Sequence, residues 1–121
     1  MISDSTRLKL LSLLAIGICD AIRCGHLTIR NAELLLFAPH AMDRCQSLGN
    51  RIVKILHMGT ELDDIQDLVP DEFAPTLERI RATALDVLAD NADESFEEDS
   101  WIDLIMPRGE KGGRNGDRSS S

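Results

Sequence analysis

Phe73-Ala74-Pro75-Thr76-Leu77-Glu78-Arg79-Ile80-Arg81-Ala82-Thr83-Ala84-Leu85-Asp86-Val87-Leu88 places its apolar residues at helical intervals. Phe73, Leu77, Ile80, Ala84, Val87 and Leu88 share one face, and Glu78, Arg79, Arg81, Thr83 and Asp86 share the other. Such spacing predicts an amphipathic helix with one buried stripe. Pro75 suits its opening turn, where the missing N–H removes no hydrogen bond. Elsewhere in the chain no alternating pattern of strand length appears, and no internal repeat is visible. The stretch therefore sets the expected fold class: all-α, a compact bundle of about five or six helices.

Working back toward the N-terminus, each further segment carries its own start or stop signal. Asp4 or Ser5 can cap a first helix reaching about Cys24, with Leu8, Leu11, Ala15, Ile18 and Ile22 forming its stripe. Leu10, Leu13, Leu14, Gly17 and Ala21 widen that stripe, which suits a central helix packed on more than one side. Gly25 occupies the position of a left-handed terminating residue. Thr28 caps a shorter helix through about Phe37, and Pro39 opens another that ends at Gly49. Asn50 is the expected cap of a helix over Arg51 to Met58, closed by Gly59. Thr60 then reads as a fresh N-cap, with Glu61, Asp63 and Asp64 loading the first turn before Pro70 stops the run.

The chain has 121 residues, of which 43% are hydrophobic and only 3% aromatic, so its core must rest on aliphatic side chains. Its formal net charge is −8. That charge disfavours phosphate backbones and anionic membranes, and favours a basic protein partner. It also serves solubility alone. Cys19, Cys24 and Cys45 are odd in number, and the apolar stretch Leu8–Ile22 lacks a signal-peptide pattern and is too short for a bilayer span. Free thiols and a cytoplasmic location are the expectation.

Catalytic and metal chemistry find little support in the residue spacing. His26, His40 and His57 form no closely spaced ligand pair with one another or with the cysteines, so no metal and no cofactor are expected. Cys19 and Cys24 fall near a helix C-terminus, where the dipole opposes a thiolate. Asp63 and Asp67 are one turn apart, but helix capping and dipole compensation account for the acids around them without a ligand. Phosphate-cradling glycine motifs and basic stripes for nucleic acid are also missing. No catalytic residue is assigned.

The run from Asp90 to Met106 holds seven carboxylates and no Lys or Arg, interleaved with Phe96, Trp101, Ile102, Leu104, Ile105 and Met106. An aromatic and aliphatic anchor flanked by acids suits a groove on a basic partner. Phe96, Glu97, Glu98, Asp99, Trp101, Ile102, Asp103 and Ile105 are the expected partner-binding residues. The competing reading folds Trp101 back onto the protein's own core. From Pro107 onward the glycines and terminal serines read as a disordered tail. The expected layout is a helical bundle over residues 1–91, the acidic and apolar segment over 92–106, and the tail over 107–121.

Phe37-Ala38-Pro39, the run His57-Met58-Gly59-Thr60-Glu61-Leu62-Asp63-Asp64-Ile65 and Leu68-Val69-Pro70 resemble a family of small bacterial proteins classed as a domain of unknown function. The resemblance covers roughly residues 8–90 and implies a bacterial cytosolic protein. It brings no catalytic residues and no cofactor, and it leaves the Trp101 segment uncovered. The functional expectation is a non-enzymatic, acidic protein-binding module, of the inhibitor or immunity type that neutralises a basic toxin or nuclease. The alternatives are a structural or adaptor subunit that forms a homodimer through the first helix, and a small metal-dependent enzyme using His57, Asp63, Asp64 and Asp67.

Overall fold

Two long helices set the frame. In the computed structural model, which describes residues 3–92, 102–107 and 109, they are α1 (Asp4–Arg23) and α6 (Phe73–Asp90). Between them lie α2 (Ile29–Leu35), α3 (Pro39–Arg44), α4 (Asn50–Thr60) and α5 (Leu62–Leu68). Single 3-10 turns at Gln46–Leu48 and Pro70–Glu72 link them, and a one-turn helix, α7 (Ile102–Ile105), follows. No strand occurs among the described residues, so the fold is all-α as the apolar spacing implied.

α1 and α6 run antiparallel, as two cross-links show. The Ser5 hydroxyl reaches Asn91 at 3.4 Å, and Arg23 pairs with Glu78 at 3.2 Å near the other end. Small side chains make the close approach possible: Ser12, Ala15 and Cys19 on α1 and Ala84 on α6 are fully buried. Thr76, Leu77, Ile80, Ala84 and Val87 form the buried face of α6, close to the stripe read from the sequence. α4 packs on α6 through the same core, contributing Ile52, Ile55, Leu56 and Met58. Burying each such aliphatic side chain contributes about 1.5–3 kcal/mol.

The ends of α1 are built from local chemistry. Ser3, not Asp4 or Ser5, is its N-cap, and its hydroxyl accepts from the Thr6 N–H at 3.2 Å. At the far end Gly25 takes φ +79°. The Gly25 N–H donates to Ile22 at 3.0 Å and the His26 N–H to Ala21 at 2.9 Å, a Schellman closure. Thr28 caps α2 as expected, accepting from the Asn31 N–H at 3.0 Å.

Three expectations need correction. Gly59 does not end α4, and Thr60 does not cap α5. The helix continues through both, and the Thr60 hydroxyl donates to the His57 carbonyl at 2.7 Å. Gly59 is instead the seat for the buried Phe37 ring: a Cβ there would lie 2.7 Å from Phe37 Cδ2. Asn50 makes no side-chain cap; it is already the first residue of α4, behind Gly49 at φ +111°. α1 does pack on more than one side, against α6 and α4, although not with its whole circumference. Its buried set is Thr6, Lys9, Ser12, Ala15, Ile18 and Cys19, whereas Leu13 and Leu14 are exposed and, among the described residues, no other element comes within 4 Å of where a Cβ on Gly17 would stand. The stripe read from the sequence does face the core, with Ala15 and Ile18 buried and Leu8, Leu11 and Ile22 packed against it.

Candidate functional site

α7 carries three of the residues expected to bind a partner. Ile102 and Ile105 are three residues apart and share a face of the turn, with Asp103 between them. The turn is closed by the Met106 N–H donating to the Ile102 carbonyl at 2.8 Å. Ile102, Ile105 and Met106 are 42%, 63% and 55% exposed. Three large apolar side chains this exposed within five residues form a sticky patch. Phe96, Glu97, Glu98, Asp99 and Trp101 lie outside the described residues, as does most of the tail from Pro107.

A second feature was not singled out in the sequence. Ile22 from the end of α1, Leu27, Thr28 and Ile29 at the start of α2, Asp63 and Gln66 of α5, and Phe73 of α6 surround an open cleft of about 300 Å³. Its walls mix the apolar Ile22, Leu27, Ile29 and Phe73 with the polar Thr28, Asp63 and Gln66. Asp63 and Gln66 sit three residues apart on α5, so helical geometry aims both the same way. The Thr28 hydroxyl is occupied by its capping bond. The only hint in the sequence was the i, i+3 polar pair; the three other elements meet there through tertiary packing.

The reactive side chains are not gathered into a site. Cys19 is buried, and desolvation, with Asp20 adding to it, pushes its thiol up to about 12. Burial also raises Cys45, whereas Cys24 is exposed. His57 meets Glu61 at 3.3 Å, one turn along α4, in a solvent-exposed pair. Among the described residues no group of three or more His, Cys, Asp and Glu converges as metal ligands. Asp63, Asp64 and Asp67 ride on the exposed side of α5, with the first two in its opening turn. Also among the described residues, no helix is long and apolar enough to cross a membrane.

Exposed charges on α1 and α6 pair with each other. Asp20 lies 3.2 Å from Arg81 and 3.7 Å from Arg23. Arg51 joins Asp90 at 2.6 Å, tying α4 to the end of α6. Such surface pairs contribute little stability, typically below about 1 kcal/mol each. No ion pair among the described residues engages Asp63, Asp64, Asp67 or Asp71.

Nothing among curated proteins and nothing among solved structures matches the chain. A family described as a protein of unknown function, DUF3969, matches residues 4–103, a span that runs beyond residues 8–90 to cover the Trp101 segment and the first half of α7. With that match extending over most of its length, the chain belongs to the DUF3969 family.

Proposed function

We propose that the protein acts without catalysis, by binding a basic protein partner, as an inhibitor or immunity-type protein does with a toxin or nuclease. The observation that carries this reading is the exposed apolar turn of α7, with Ile102, Ile105 and Met106 around Asp103, on a chain of net charge −8. Apolar anchors supply affinity, and the surrounding negative potential steers a positive surface onto them. Affinity capture from the native host, run with the wild type and Ile105→Asp in parallel, tests the reading. The expected result is a basic protein retained by the wild type and lost by the variant, with retention falling as salt rises. Recovery of no basic protein overturns it, and equal recoveries from both baits overturn the role given to α7.

A homodimer is the second reading, and a separate observation favours it. Leu13 and Leu14 on α1 and Leu85 on α6 are all exposed, and Gly17 leaves open space beside them. The register set by Ser5–Asn91 and Asp20–Arg81 brings Leu85 level with Leu13 and Leu14. Sedimentation velocity at low micromolar concentration decides it. A dimer abolished by Leu13→Asp supports this reading, and a monomer at all concentrations removes it.

A further inference from the structure

We infer that the cleft between α2, α5 and the start of α6 receives an arginine side chain from the basic partner. The inference rests on the binding reading above and gives it a specific contact. The shape and chemistry of the cleft select this occupant. Its walls are Ile22, Leu27, Ile29 and Phe73, which match an aliphatic stem. Its polar residues are Thr28, whose hydroxyl already accepts the α2 capping bond, Asp63 and Gln66, with no Lys, Arg or His on the lining. A carboxylate and an amide oxygen together accept from a guanidinium, whose planar fork carries five donors. The Phe73 ring adds a face to which a cation is attracted.

Charge complementarity extends beyond the lining. From Glu61 to Glu72 the chain has six acidic residues and no basic one. Asp63, Asp64, Asp67 and Asp71 make no ion pair among the described residues, so no described cation neutralises Asp63. At about 300 Å³ the cleft is at the small end for a ligand site and suits one long side chain rather than a whole helix. An anionic ligand would meet only carboxylates there, and a purely apolar one would leave Asp63 desolvated without a partner.

Methyl and amide NMR of the full chain, titrated with the peptide Ac-Ala-Leu-Arg-Leu-Ala-NH2, tests the inference. The expected result is movement of the Ile22, Leu27 and Ile29 methyl signals, with a clearly weaker response when lysine replaces the arginine and none with citrulline. Asp63→Asn should weaken binding about tenfold, the loss of one charge-assisted contact. Asp63 is exposed in the first turn of α5, so the variant should keep its fold, and an unchanged amide spectrum elsewhere verifies that. Equal shifts with citrulline, unchanged affinity in Asp63→Asn, or no movement of the cleft methyls at millimolar peptide each overturn the inference. Movement at Ile102 and Ile105 alone overturns it while leaving the binding reading intact. Arginine binding in the cleft, alongside equal partner capture by wild type and Ile105→Asp, has the opposite meaning: the cleft stands and the role given to α7 fails.

Discussion

Gly17 and Gly59 are both helical, yet the same substitution should move stability in opposite directions. Replacing a glycine inside a helix with alanine removes unfolded-state freedom and gains about 1 kcal/mol where nothing obstructs the new methyl. At Gly17 no atom lies within 4 Å of the added carbon, so Gly17→Ala should stabilise by about that amount. At Gly59 the carbon would fall 2.7 Å from Phe37 Cδ2, where carbon atoms normally rest about 3.5–4.0 Å apart. Cγ and Cδ1 would lie closer still, so the Phe37 ring has to retreat by more than about 1 Å, and it is 1% exposed, with packed neighbours behind it. Overpacking of this kind costs about 1–3 kcal/mol, and Gly59 lies next to the helix end, where the propensity gain shrinks. Gly59→Ala should therefore destabilise by about 1–2 kcal/mol and lower Tm by several degrees. Urea unfolding followed by circular dichroism measures both variants, with unchanged m-values expected. A double-mutant cycle isolates the contact: in a Phe37→Ala background, itself costing about 3–5 kcal/mol, Gly59→Ala should no longer destabilise. If Gly59→Ala proves as stabilising as Gly17→Ala, the Phe37 ring does not sit on Gly59 of α4 and the contact described above is wrong.

Other perturbations test the core and its thiols. Ile80→Ala on the fully buried face of α6 should cost about 2–5 kcal/mol, seen as a drop in urea midpoint; an unaltered midpoint contradicts the α1–α6 core. Ser12→Ala should raise stability by about 1 kcal/mol in thermal melting, because its buried hydroxyl has no hydrogen-bond partner among the described residues and alanine is the better helix former. Iodoacetamide should add one group to the native protein, at Cys24, and three only after unfolding; rapid native labelling of Cys19 or Cys45 counts against the packing. Stability should also fall as pH rises from about 9 toward 12. Over that window the unfolded Cys19 thiol ionises while the folded one, held at about 12, stays protonated, so the contribution present below pH 9 is lost on the way up. Cys19→Ala should flatten that part of the profile, and an unchanged slope contradicts the assignment.

The parts of the fold that read clearly from the sequence are those with one strong local signal. Leu77, Ile80, Ala84 and Val87 sit on a face opposed by charge, so only one orientation of α6 was available. Gly25 and Thr28 bracket a loop through backbone and capping chemistry that depends on few neighbours. Gly59 and Thr60 show the limit. A glycine followed by a threonine looks like a helix end and a new start; the helix does end close by, after Thr60, but the glycine is there because a buried ring elsewhere in the chain leaves no room for a Cβ. α1 shows another limit: its stripe of Leu8, Leu11, Ala15, Ile18 and Ile22 does pack on the core, but its flanks did not read, since Leu13 and Leu14 stay exposed while Thr6, Lys9 and Ser12 are buried. Of the expected contact residues, Ile102, Asp103 and Ile105 lie on an exposed turn. The cleft was invisible because its lining comes from four elements, and only Asp63 and Gln66 form a patterned pair.

The most direct test of action by surface recognition is the affinity between this protein and the basic protein it retains from its host, measured by calorimetry across a range of salt concentrations. The account predicts stoichiometric binding that weakens steadily with salt and that Ile105→Asp reduces at every concentration. Affinity indifferent both to ionic strength and to Ile105→Asp would contradict it.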